Sequence, residues 1–248
     1  MNSVLLWLQH EYRNLMSMGV VRQMVKRILN LKTLCILLLM FAGFSANVQN
    51  ETKKGDPLVG LTVVPFGEQT FDIATGLTTL PQGGEITDRV SGVVITAPFI
   101  ELQQGVFIKA KTVEASGEFG IFQASEFYID FESSVIRAGG EVTLSKDATT
   151  IHSEQLSYFV DTKILRLSGG VVGQSPAIEA EAIILEFSSG IALLVGPYTF
   201  TDGVFTLSSK IANSLLELVA VENEGSSIFE AATEVDPESL ARFQEYLP

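Results

Sequence analysis

The 248-residue chain contains one cysteine and two histidines, and its formal net charge is −13. Its length suits one large all-β domain or two smaller domains. Residues 1–46 carry five Lys or Arg and one acid, which leaves 11 basic and 28 acidic residues for 47–248. That region carries a charge of −17, which repels nucleic acid phosphates and argues against nucleic acid binding.

An uncharged apolar run, TLCILLLMFAGFSA, occupies residues 33–46 and follows a basic segment. A charged start, a short apolar run and a small-residue end predict a secretory signal over residues 1–46. An uncleaved membrane anchor is the alternative, although a spanning helix needs about 20 apolar residues. The sequence thus predicts a periplasmic or exported protein, or one anchored in the inner membrane through residues 33–46. The polar residues 47–56 predict a linker, and the only cysteine, Cys35, precedes it.

A strand–turn–strand repeat organises the rest of the chain. Its copies begin at Ile95, Phe122, Ile151, Ile178 and Phe205, with spacings of 27, 29, 27 and 27 residues. Apolar residues recur at offsets of five and seven in the first four copies, and at nine in the second, third and fourth. This period of two is typical of a strand with one buried face. Each strand meets a turn rich in Gly, Ser, Asp or Gln, and a second apolar run follows.

The repeat predicts an all-β fold over residues 57–222, a repetitive antiparallel jelly-roll shaped as an open roll of strand pairs. Entry strands are expected at residues 61–64, 70–73 and 77–80, before the first copy. The pairs Gly139-Gly140 and Gly169-Gly170 are expected at strand ends. An acidic tail, residues 223–248, contains a helix start at Asp236-Pro237, and this helix is expected to cover one end of the roll or to form a frayed tail.

Catalytic signatures are not found in the sequence. His152 is the only histidine after the apolar run, and no phosphate-cradling glycine loop or nucleophile motif occurs. We therefore expect that the protein is not an enzyme and that it has no catalytic residue, no metal site and no cofactor.

One face of the repeat carries a row of large apolar residues. In a closed sandwich the row is core, whereas in an open-edged roll it lines a slot that holds acyl chains. The predicted slot-lining residues are Ile100, Leu102, Phe127, Ile129, Phe131, Leu156, Tyr158, Val160, Ile183, Leu185 and Phe187. The unpaired strands at the ends of such a roll could also add a second copy or a partner by strand pairing.

Three segments within residues 90–205 carry a resemblance to a known family. They are FQASEFYIDF from Phe122 with VIRAGGEV from Val135, IHSEQLSYFVDTKILRLSGGV from Ile151, and IEAEA from Ile178. The pattern resembles the lipopolysaccharide-transport bridge proteins with an OstA-like (organic solvent tolerance) domain. In the third copy of the repeat, Ser153-Glu154 replaces the Ala-Asp of the family motif.

The resemblance implies a non-enzymatic roll that relays lipopolysaccharide or another acylated lipid across the periplasm and associates edge to edge with other bridge proteins or a second copy. The resemblance does not decide whether the chain is the soluble or the membrane-anchored component of such a bridge. A structural or adhesive exported β-solenoid without lipid cargo is the alternative, and a carbohydrate-active enzyme on a β-roll is a third hypothesis.

Overall fold

A computed structural model describes residues 61–88, 92–117, 120–146, 149–174, 176–203, 205–223 and 226–248. The expected signal or anchor, residues 1–46, and the expected linker, residues 47–56, lie outside these residues. Within the described ranges, no helix combines the length and the apolar character needed to cross a membrane.

The described residues form sixteen antiparallel strands in one open sheet, followed by a short helix. The all-β roll expected from the repeat is therefore confirmed. The strands are β1 (Leu61–Pro65), β2 (Thr70–Asp72), β3 (Leu77–Leu80), β4 (Gly84–Asp88), β5 (Val94–Ala97), β6 (Phe99–Gln103), β7 (Phe107–Gly117), β8 (Gly120–Asp130), β9 (Val135–Lys146), β10 (Thr149–Phe159), β11 (Ile164–Gln174), β12 (Ala177–Glu186), β13 (Ile191–Asp202), β14 (Phe205–Ser209), β15 (Leu215–Asn223) and β16 (Ser226–Ala232).

The long strands β7 to β13 pair in sequence order, each with the next. At both ends the sheet divides. The first half of β7 pairs with β6 and the second half with β5, while the first half of β13 pairs with β15 and the second half with β14. The roll therefore consists of two half-sheets that share the long strands.

A line of β-bulges separates the two half-sheets, which we call the bend line. Register shifts fall between Gln123 and Glu126, Ser153 and Gln155, Ser168 and Val171, and Ala180 and Ala182. A bulge bends its strand and leaves two consecutive residues on one face. Bulges at matching places in neighbouring strands therefore fold the whole sheet along one line.

The glycine pairs lie on this bend line and not at strand ends, so the expectation for them was wrong. Gly140, Gly169 and Gly170 adopt φ values of +68°, +80° and +78°, a region that favours glycine. The pairs occur in the middle of β9 and β11 because the chain must turn there without leaving the sheet.

One apolar core lies inside the roll and draws on both half-sheets. Ile108, Phe127 and Leu156 come from one side of the bend line, and Phe122, Leu144 and Ile151 come from the other. All six are buried. Phe122 and Phe127 contact each other across the bulge of β8, with ring centroids 6.1 Å apart.

The C-terminal helix α1 (Pro237–Phe243) begins as the sequence predicts. Asp236 accepts hydrogen bonds from the backbone N–H groups of Glu238 and Ser239, and Pro237 follows it. Its expected position over one end of the roll was wrong. The helix packs on the outer face of one half-sheet, where Phe243 and Tyr246 join Ile184 and other side chains in a second apolar cluster.

We call this half-sheet the helix-side half-sheet, and the other one the far half-sheet. The helix-side half-sheet contains β2, β3, β6, β15, β16 and the adjoining halves of β7 to β13. The expected entry strands are present as β1, β2 and β3, and β4 was not anticipated. The sheet also continues through β16 to Ala232, past the expected boundary at residue 222.

Candidate functional site

Two cross-strand rows line the inner face of the helix-side half-sheet. Strand register places the members of each row directly opposite one another on successive strands. The first inner row is Ile100, Ala110, Phe127, Ala138, Leu156, Leu167, Ile183, Leu194 and Leu216. The second inner row is Leu102, Ile108, Ile129, Ile136, Tyr158, Leu165, Leu185, Ala192 and Leu218.

The eleven predicted slot-lining residues all contribute to the inner core, but their burial differs. Six of them are no more than 5% exposed, a degree of burial typical of packed core. These are Ile100, Phe127, Leu156, Tyr158, Ile183 and Leu185. In this conformation the two inner rows are filled by protein side chains.

The other five residues are half-buried at the strand ends, and we call them the lip. They pack against the core where the strands of the helix-side half-sheet end, away from the bend line, and we call this side the mouth of the roll. The lip consists of Leu102 and Ile129, which are the half-buried members of the second inner row, and of Phe131, Val160 and Phe187. Phe187 meets the buried ring of Tyr158 edge to face, with centroids 5.8 Å apart, so the lip is continuous with the second inner row.

Backbone hydrogen bonds connect the turns of the lip beyond the ends of the strands. The N–H groups of Phe131, Val160 and Phe187 donate to the carbonyls of Val106, Ser134 and Lys163, at 3.1, 3.0 and 3.1 Å. In each case the donor is the first residue after a long strand, and the acceptor belongs to the neighbouring turn that comes earlier in the chain. The three apolar side chains are therefore held in line along the mouth.

The turn after β8 is also held by a carboxylate. Asp130 accepts hydrogen bonds from the N–H groups of Ser133 and Glu132, both at 3.0 Å. Hydrogen bonds from the backbone and hydroxyl of Ser133 hold the pKa of Asp130 below its usual value, against the opposing effect of desolvation. Glu132 and Arg137 lower the pKa further by smaller amounts.

The inner face of the far half-sheet was not included in the predicted site. Its buried members occupy the first and third positions of the repeats, a period-two signal that the sequence does contain. They include Ile95, Ala97, Phe122, Ala124, Ile151, Ser153, Ile178 and Ala180. Ser153, which stands where the family motif has alanine, buries its hydroxyl and donates to the carbonyl of Gln155 at 3.2 Å.

Polar chemistry is sparse near this interior. His152 is exposed and its Nδ1 lies 3.1 Å from the hydroxyl of Thr143. Among the described residues, no group of three His, Cys, Asp or Glu could hold a metal ion.

A groove of about 310 Å³ lies where the lip meets the β2–β3 hairpin. Phe71, Thr78, Leu102 and Gln103 line it. Phe71 is 62% exposed, and Ile73, at the tip of the hairpin, is 87% exposed. Large apolar side chains are thus accessible at the N-terminal end of the lip.

No family model matches the chain, and no curated protein sequence matches it.

Proposed function

We propose that this protein is a non-enzymatic lipid-binding protein of the cell envelope that holds acyl chains inside its roll. The observation that carries the proposal is the continuity of apolar surface from the two inner rows to the half-buried lip. The sequence resemblance supports lipopolysaccharide as the first candidate cargo and transfer across the periplasm as the task.

Acyl chains would enter by way of the lip and separate the two half-sheets about the bend line. Each methylene moved from water into an apolar environment contributes about 0.8 kcal/mol, so a dozen methylenes contribute on the order of 10 kcal/mol. This gain offsets the lost packing between the half-sheets, because lipid replaces protein as the apolar neighbour of the inner rows. Binding then needs no charged or catalytic group.

The edges of the sheet support a role in an assembly. On the helix-side half-sheet the sheet runs from β2 to β16, and on the far half-sheet from β1 to β14. Edge strands present unpaired backbone groups to which another strand can add. We propose that a second copy or another bridge protein joins at such an edge and extends the apolar path.

Photo-crosslinking tests the lipid site directly. A photoreactive amino acid replaces Ile129, Val160 or Phe187 of the lip, with the exposed neighbours Asp161 and Ser188 as matched controls. After irradiation of living cells, we expect an acylated lipid at the three lip positions and none at the controls. Mass spectrometry of the adduct identifies the cargo.

Two results would contradict the proposal. Equal labelling at lip and control positions would indicate contact with bulk lipid, and no labelling in a folded protein would favour a structural or adhesive roll. The near-complete burial of six predicted slot residues is the observation that favours this second function.

A further inference from the structure

The outer face of the helix-side half-sheet has a covered and an uncovered part. Helix α1 covers the part formed by β11 to β13, where Ile164, Ile184 and Leu193 are buried beneath it. Phe159 at the end of β10 also packs against Tyr246. The rest of this face, formed by β7 to β9 and the adjoining residues of β10, is largely polar and contains a groove of about 360 Å³. The side chains of this groove on the outer face include Lys109, Lys111, Tyr128, Arg137, Gln155 and Ser157.

Three cations line this groove, and the ammonium of one of them, Lys111, also lies over the ring of Phe99, 5.5 Å from its centroid. Strand register places Lys109 opposite Tyr128, and Tyr128 opposite Arg137, on three successive strands. Strands about 4.8 Å apart put Lys109 and Arg137 roughly 10 Å apart at the backbone, and Lys111 lies two residues along from Lys109, about 7 Å away. A positive cluster of this size is unexpected in a region whose net charge is −17.

Carboxylates on neighbouring strands face the cations of this cluster without forming a close ion pair. In the part of the chain that the structure describes, none of the three cations lies within 4 Å of a carboxylate, since the ion pair found there joins Arg242 and Glu186. Glu101 stands opposite Lys109 on β6, and Glu126 stands opposite Lys111 on β8. Asp130 attracts Arg137 at longer range. The charges therefore nearly balance, and the groove attracts an anion through the hydrogen-bond donors of its cations, which no carboxylate of the described residues contacts within 4 Å.

A missing side chain opens the floor of the groove. Gly139 lies between Glu126 and Gln155 on the adjoining strands. A Cβ at Gly139 would meet nothing nearer than the Glu154 carbonyl at 4.0 Å, so the space above it is open. The ring of Tyr128 forms one wall and stacks on Phe107, with centroids 6.0 Å apart and an interplanar angle of 27°.

We propose that this groove binds a phosphate monoester carried on a sugar or another polyol. Arg137 offers the planar fork that fits phosphate oxygens, and the two lysines add point charges. Gln155, Ser157 and the Glu126 carboxylate can exchange hydrogen bonds with hydroxyl groups, and the carboxylate disfavours ligands that consist only of negative charge. The groove lies on the opposite face of the sheet from the inner rows, so it does not depend on the proposed function.

Calorimetric titration of the full chain in nonionic detergent micelles tests the site. The soluble probes are glucose 1-phosphate and glucose, and the lipid probes are phosphatidylinositol 4-phosphate and phosphatidylinositol in mixed micelles. We expect a probe that carries the phosphate monoester to bind and its counterpart without that monoester not to bind. Binding of glucose 1-phosphate indicates a soluble ligand, whereas binding of the phosphorylated lipid alone indicates a lipid headgroup.

Substitutions locate the binding. Lys109→Gln and Arg137→Gln should each weaken it about tenfold or more, because a charge-assisted hydrogen bond is lost. Gly139→Leu should weaken it by filling the groove, with an unchanged melting temperature. Lys210→Gln removes the same charge outside the groove and should leave binding unchanged.

Three results would overturn the proposal. They are no binding of either phosphorylated probe, equal weakening by Lys210→Gln and Arg137→Gln, and tighter binding of an oligo-glutamate peptide than of both phosphorylated probes. The last would assign the groove to an acidic protein segment.

Discussion

The inner rows and the lip are built from the same residue types and belong to one apolar core, yet their burial differs. Leu156 and Tyr158 of the inner rows are 2% and 0% exposed, because both half-sheets enclose them. Val160 and Phe187 of the lip are half-buried, because they lie just past the strand ends. Apolar composition alone therefore does not distinguish a packing surface from one that a ligand can reach, and position along the strand does.

The largest effect should come from the inner rows. Leu156→Ala and Ile183→Ala should each lower the free energy of unfolding by about 2–5 kcal/mol, since each leaves a cavity in a packed core. Urea denaturation of each variant measures the loss. Losses below about 1 kcal/mol at both positions would mean that the inner rows are not close-packed, and the distinction from the lip would fail.

A smaller effect is expected at the lip. Phe187→Ala should lower the free energy of unfolding by about 1–2 kcal/mol, less than a fully buried phenylalanine would cost, because its ring is only partly buried. The same denaturation experiment compares it with Ser188→Ala, which should be nearly neutral. A loss as large as that of Leu156→Ala would show that the lip is core in solution.

The smallest effect concerns the turn that supports the lip, and it depends on pH. The folded pKa of Asp130 lies below its unfolded value, so its stabilising contribution is present above the unfolded pKa and is lost as pH falls through the folded pKa. The stability difference between wild type and Asp130→Asn should therefore be constant near neutral pH and shrink below about pH 4. Chemical denaturation across this range measures it. A difference that grows on acidification would contradict the assignment.

The period-two pattern was sufficient to predict the class of fold and the inward orientation of Phe127, Leu156 and Ile183. It also contained the bend line, which the prediction did not include. Inward residues occur at offsets zero and two and again at five and seven, and the odd step between these pairs requires a bulge in β8, β10 and β12. The spacing of inward-facing residues within a single strand is thus enough to locate the bend line of the sheet.

The position of helix α1 and the polar groove were harder to predict from the sequence. The helix position had a signal, because the continuous apolar runs 182–185 and 192–195 indicate strands covered on both faces. The groove had none, since Lys109, Tyr128 and Arg137 belong to three separate strands and are brought together only by their register. Such a cluster requires the exact pairing of strands, which local patterns do not determine.

The pairing of each long strand with the next in sequence has a consequence for how the protein forms. Each long strand contacts mainly the strand before it and the strand after it, so sequence separations stay within the length of a hairpin. The contact order relative to chain length is therefore low, and folding is expected to be fast for an all-β protein. The roll can grow one strand at a time from a first hairpin. Loss or duplication of a strand pair such as β9 and β10 would preserve every other pairing, so the length of the roll can change in evolution without redesign of its core.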